Sequence, residues 1–118
     1  MAGPYKTEQI SRLANTLVPN TAGAVYTNST GNKVMLTGLL LHNSSAGSVT
    51  VELWFVESAG SRTATNKAYK ITLAQDDTVQ LNENFRPILE AGDAIHGLCS
   101  AASAVSLFAY GVEIAVIS

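Results

Sequence analysis

Val49-Thr50-Val51-Glu52-Leu53-Trp54-Phe55-Val56-Glu57 is the stretch on which the reading of this chain turns. Val49, Val51, Leu53 and Phe55 share one face of an extended backbone, and Thr50, Glu52, Trp54 and Val56 share the other, the two-residue period of a half-buried β-strand. Directly upstream, Lys33 to His42 is nearly all apolar, so periodicity assigns no faces there, and Gly38 marks the place where the alternation can slip by one residue at a bulge. Between the two segments, Asn43-Ser44-Ser45-Ala46-Gly47-Ser48 reads as a turn, so the pair is expected to form a hairpin of two long strands.

The same grammar continues in both directions. Tyr69, Ile71 and Leu73 alternate with Lys70 and Thr72, Ala74-Gln75-Asp76-Asp77 breaks the run, and Val79 and Leu81 alternate with Thr78 and Gln80, which reads as a second hairpin. Pro87 to Asp93 reads as a short edge segment and a tight turn, because proline cannot donate to a central ladder and Gly92 can take a positive φ. Ala94 to Ser100 and Val105 to Val116 are two further strands, and Glu8 to Val18 and Ala22 to Asn28 are weaker candidates. A helix competes only over Thr7 to Leu17, where Ile10, Leu13, Ala14 and Leu17 have helical spacing. Seven to nine short strands without intervening helices predict an all-β fold, a single antiparallel β-sandwich of jelly-roll type over residues 8–118. Met1 to Thr7, with Gly3, Pro4 and Tyr5, is expected to be an extended N-terminal arm. Ser58 to Asn66 reads as the longest flexible loop, and no internal repeat is evident.

Composition agrees. The 118 residues hold 11 Ser, 11 Thr and 8 Asn but only 14% charged residues, against roughly 25% in an ordinary soluble domain. This profile excludes intrinsic disorder, coiled coil and disulfide scaffold. The basic residues Lys6, Arg12, Lys33, Arg62, Lys67, Lys70 and Arg86 are scattered in a chain of net charge −2, so nucleic acid is not an expected partner. Neither a signal-type leader nor an apolar run of membrane-spanning length is read in the chain. Cys99 is the sole cysteine and cannot close an intrachain disulfide. The glycosylation-type triplets Asn28-Ser29-Thr30 and Asn43-Ser44-Ser45 read as turns.

The inventory for chemistry is thin. His42 and His96 lie in separate strands, and His96 and Cys99, three apart in a strand, fall on opposite faces and cannot share a metal. Glu52 and Glu57, five apart on one strand, also point to opposite faces and cannot flank a glycosidic bond. Asp76-Asp77 reads as a turn whose acid caps its own backbone. Trp54 and Tyr69 could offer stacking faces to a sugar. No catalytic, metal or cofactor site is expected, and no enzyme activity.

The chain resembles the small virion proteins of tailed bacteriophages, a loosely related group of β-sandwich accessory proteins. The residues carrying the resemblance are Tyr5-Lys6-Thr7-Glu8, Ala24-Val25-Tyr26-Thr27, Lys33 to Leu41 running into Asn43-Ser44-Ser45, Val49-Thr50-Val51-Glu52-Leu53, Leu89-Glu90-Ala91-Gly92-Asp93-Ala94-Ile95 and Tyr110-Gly111-Val112-Glu113-Ile114. It implies a non-catalytic capsid decoration or cement protein on the virion surface, made in the host cytoplasm, whose partners are the major capsid protein and itself as a homotrimer. The alternative is a head-fibre or tail-associated module gripping a host glycan through Ser58 to Asn66. Under the favoured reading Tyr5 and Lys6 of the arm and Trp54 and Val56, rimmed by Glu52, form a protein–protein interface, because Trp54 points away from the apolar row and a solvent-facing indole suits an interface.

Overall fold

A computed structural model of the protein describes residues 10–81 and 86–114. Among them lie nine strands, β1 Ser11–Leu17, β2 Gly23–Thr27, β3 Lys33–Asn43, β4 Val49–Val56, β5 Lys67–Leu73, β6 Thr78–Gln80, β7 Ile88–Leu89, β8 Ala94–Cys99 and β9 Val105–Ile114. They form two antiparallel sheets, one ordered β1-β9-β3-β6 with β7 also on β3, the other β2-β8-β4-β5. Taking β6 and β7 as two pieces of one edge strand, this is the two-sheet, eight-strand order of a jelly roll. Residues 11–17, where a helix competes in the sequence, form edge strand β1 against β9.

The core lies between the sheets. Leu36, Leu39, Leu41 and Leu107 from the first sheet pack toward Val51, Leu53 and Ile95 from the second, all at 0% exposure. Gly38 does mark a bulge: the β3–β9 register slips between Leu36 and Gly38, which lets Leu36 and Leu39, three apart, both point inward. Tyr110 lies across the bare Cα of Gly38 on the outer face, its Cβ 3.7 Å from where a glycine Cβ would stand.

Both expected hairpins are corrected. β3 is in the first sheet and β4 in the second, and likewise β5 and β6 belong to different sheets. Each turn is a corner at which the chain changes layer, and the cause is Asn43, fully buried. Its Nδ2 donates to the carbonyls of Gly47 (2.9 Å), Leu73 (3.0 Å) and Ala74 (3.0 Å), while its Oδ1 accepts from the Ser45 N–H (2.9 Å) and hydroxyl (2.7 Å). Its main chain donates to Asp77 O (2.9 Å) and accepts from the Asp76 N–H (2.8 Å). One side chain thus joins the β3-to-β4 crossing to the β5-to-β6 crossing.

A second corner repeats the first atom for atom. Asn28, also 0% exposed, donates through Nδ2 to Asn32 O (2.7 Å), Leu89 O (3.0 Å) and Glu90 O (3.1 Å), and its Oδ1 accepts from the Thr30 N–H (3.1 Å) and hydroxyl (2.8 Å). Its main chain donates to Asp93 O and accepts from the Gly92 N–H, both at 2.8 Å. In each corner an aspartate closes the opposing turn: Asp77 Oδ2 accepts from the Ala74 N–H and Asp93 Oδ2 from the Glu90 N–H, both at 2.9 Å. The residue before it has positive φ, 63° at Asp76 and 87° at Gly92. Only glycine fits the second position, since a Cβ on Gly92 would lie 2.5 Å from the Ser58 Oγ. Both glycosylation-type triplets are therefore turns, as read, and their asparagine nitrogens are sealed inside.

Replacing Asn43 strips donors from the buried Leu73 carbonyl and the partly buried carbonyls of Gly47 and Ala74, at about 1–3 kcal/mol for a buried group left unpaired. Asn43→Ala is expected to lose about 3 kcal/mol in urea unfolding. Asn43→Asp keeps the volume but aims a carboxylate at the carbonyl oxygens, so it is expected to lose at least as much at neutral pH. An Asp variant as stable as the wild type would show that the carboxamide is not what holds the corner.

Candidate functional site

The outer face of the second sheet holds most of the residues singled out in the sequence. Glu52 and Lys67 form an ion pair, Lys67 Nζ also sits 5.3 Å over the Trp54 ring, and Lys70 is the register partner of Glu52. The hydrogen bond from Lys67, with the charges of Lys67 and Lys70, holds the Glu52 carboxyl below its ordinary value against the opposing effect of burial. Beside Trp54 in the register is His96, whose Nδ1 lies 2.7 Å from Arg62 Nη1. An arginine can only donate, so Nδ1 accepts and the ring proton is on Nε2. Burial, then the Arg62 charge, lowers the His96 pKa.

The loop from Ser58 to Asn66 is not loose. Thr63 N–H donates to Asn66 Oδ1 (2.9 Å), Asn66 Nδ2 to Ser61 O (2.9 Å), Ser58 N–H to Asp93 Oδ1 (3.0 Å) and Phe55 N–H to Asn66 O (3.0 Å). Arg62 is anchored on His96, the register neighbour of Trp54, and Lys67 lies over the indole. Trp54, expected in solvent, is 8% exposed within its own chain, and Val56 is 3% exposed. An interface centred on Trp54 therefore has little of that ring left to bury. Glu52 remains at the surface, engaged with Lys67, and the Tyr5 and Lys6 of the expected interface lie outside the described residues.

The other candidates are dispersed. Tyr69 points inward, donates to Leu81 O at 3.0 Å and packs edge-on to Phe55, with 6.3 Å between centroids, so its ring face is not free for a sugar. Burial raises its pKa. His42 is on the first sheet, 2.7 Å from Thr78 Oγ1, far in the fold from His96 on the second. Cys99 is buried on the inner face of β8, opposite in sense to His96. Among the described residues no three of His, Cys, Asp and Glu come together. A cleft of about 220 Å³ opens between Phe55–Glu57 and Pro87–Leu89, with Glu57 and Asp93 at its wall; Asp93 is committed to the backbone of Ser58 and Glu90. Glu57 alone supplies no nucleophile–base pair.

The outer face of the first sheet was not singled out in the sequence, because the near-continuous apolar run of β3 hides which side is inward. The register resolves it into rungs: Ile88–Met35–Val112, Gly38–Tyr110–Arg12, Gln80–Leu40–Phe108–Asn15 and Thr78–His42–Ser106–Leu17. Arg12, at the β1 edge, is the one Lys, Arg, Asp or Glu in these four rungs; beyond them, at the start of β3, Lys33 lies beside Ile114 and forms an ion pair with Glu90. Leu17, Ile88 and Tyr110 are 49%, 43% and 39% exposed, and with Ile10, which leads into β1, they are the exposed large hydrophobics of the described chain. None belongs to the other sheet.

No family model matches the chain, and no curated protein matches it. Among solved structures it is similar to a chain from Bacillus endospore appendages, described as forming a novel family of disulfide-linked pili: the match covers 98% of this chain and 93% of that one, at 17% identity and a TM-score of 0.59. At that identity the likeness is one of fold.

The Arg62–His96 contact gives a pH dependence with a fixed sign. The folded-state pKa of His96 is lowered, so the contact contributes fully above the unfolded value of about 6.5 and is lost as pH falls through the lower folded value. Thermal melts are expected to show the wild type losing more stability between pH 7 and pH 5 than His96→Asn, which keeps an acceptor but cannot titrate. Parallel pH profiles for the two proteins would contradict this.

Proposed function

We propose that the chain is a non-catalytic structural subunit that works through protein–protein contacts in a regular assembly. The observation that carries this reading is the division of labour among its side chains. The conspicuous polar groups Asn28, Asn43, Asp77, Asp93, Glu52–Lys67 and Arg62–His96 each tie parts of the sandwich together. One sheet meanwhile presents a broad apolar surface whose charges, Arg12 and the Lys33–Glu90 pair, lie at its edges. A subunit needs a rigid frame and a dry face, whereas an enzyme needs polar groups left free to react.

In finer terms, the resemblance to small phage virion proteins supports a decoration protein on the head shell of a tailed phage, seated as a trimer on the major capsid protein. A second reading, an extracellular fibre subunit, is favoured by the fold likeness to an appendage subunit. In that case copies would join without disulfides, because the single cysteine of these 118 residues is Cys99, 1% exposed. A glycan-gripping module has less support, since the rings of Trp54 and Tyr69 are engaged within the chain.

Gel densitometry of purified particles and negative-stain microscopy of the purified chain separate these. The decoration reading expects hundreds of copies per particle and no fibres from the pure protein. A few tens of copies or fewer would contradict it, and fibres grown from the pure protein would move the assignment to the second reading.

A further inference from the structure

The geometry points to the outer face of the first sheet as a self-pairing surface, on which a second copy of this chain lies face to face. The inference deepens the structural-subunit reading and rests on it only in taking the partner to be another copy. What carries it is the asymmetry between the two outer faces. On the second sheet the outer face is closed: Glu52 is paired with Lys67, Thr50 with Thr72 and His96 with Arg62, and Trp54 is covered. On the first, Met35, Leu40 and Phe108 stand half-exposed and Tyr110 exposed in adjoining rungs of β3 and β9, outside the core cluster.

The size of the face suits a weak, specific pair. Four strand positions at about 4.8 Å and the eight residues Met35 to His42 at about 3.4 Å give roughly 500 Å² per copy, or roughly 1,000 Å² for two, the lower bound of specific interfaces. Its charge pattern suits identical partners. An isologous contact sets each patch against itself, so any central charge would meet its own kind. Here Arg12 lies at the β1 edge, opposite Tyr110 in the register. A twofold axis in the plane of the face, perpendicular to the strands and between the Gly38–Tyr110 and Leu40–Phe108 rungs, places β9 of one copy over β9 of the other and β1 over β1. Arg12 of each copy then meets the neutral Asn15 of the other, and Tyr110 of each closes on Phe108 of the other. Aromatic anchors at the centre with a polar edge are the usual distribution in a protein interface.

Analytical ultracentrifugation of the full chain over a concentration series tests this. The variants are Tyr110→Asp and Leu17→Asp on the face, and Thr72→Asp on the opposite outer face. All three positions are exposed, and circular dichroism melts confirm that each variant is folded. The wild type is expected to show a concentration-dependent dimer, each face variant to weaken it at least tenfold, and Thr72→Asp to leave it unchanged. If the face variants associate as the wild type does while Thr72→Asp does not, self-association stands but this face is the wrong one. A wild type monomeric up to about 1 mM overturns the pairing, whether residues 1–9 or a capsid protein covers the face instead. Should that monomer still decorate particles in quantity, the structural reading survives; should it also be absent from them, both fall.

Discussion

The carboxamides of Asn28 and Asn43 sit where strand ends from both sheets meet, and the two-layer architecture depends on them. A strand leaving one sheet for another about 10 Å away gives up its ladder partners at the margin of the core, where its backbone groups still need partners. Each asparagine supplies what is missing. Two N–H bonds reach three carbonyls, one oxygen accepts from a backbone and a hydroxyl group, and the residue's own peptide pairs with the opposing turn. Aspartate lacks the donors and serine has only one, so the requirement is for this side chain.

With the crossings set, the rest of the fold follows from burial. β3 and β9 form the spine of one sheet and β4 and β8 of the other, and their inward rows fill the space between with leucine, valine and isoleucine. The outward rows are then free to differ, and they do. One is a closed lattice of ion pair, hydroxyl pair and arginine–histidine contact; the other is apolar across its middle, with charge only at Arg12 and the Lys33–Glu90 pair on its edges. That difference is the structural basis for reading the molecule as a building block rather than a catalyst.

Much of this was legible in the residues. Strands with two-residue alternation, such as Val49–Val56, and the bulge at Gly38 are local consequences of pleat and chirality, and they appear where the sequence places them. Alternation reads the corners as hairpins because it is the same whether a strand turns back beside its predecessor or crosses to the opposite layer. The signal that separates the two was present as a pairing of motifs. Asn28-Ser29-Thr30 with Leu89-Glu90-Ala91-Gly92-Asp93 matches Asn43-Ser44-Ser45 with Leu73-Ala74-Gln75-Asp76-Asp77, two distant pieces per corner that no short window compares. For Trp54 alternation gives the correct face but not its environment, since it says nothing about a side chain such as Lys67 that folds over the outside of the sheet. The open face of the first sheet was hidden because Lys33 to His42 is apolar on both sides.

Amide hydrogen exchange tests the corner account most directly. The N–H groups of Asn28, Asn43, Asp76 and Gly92 lie at strand ends and in turns, where amides ordinarily exchange through local opening, yet each is bonded across a corner at 2.8–2.9 Å. If the corners hold the layers together, these four exchange only through global unfolding, with the same opening free energy as Leu41 and Leu107 in the core strands. Exchange of the four by local opening, several-fold faster than the core amides while those stay protected, would contradict it.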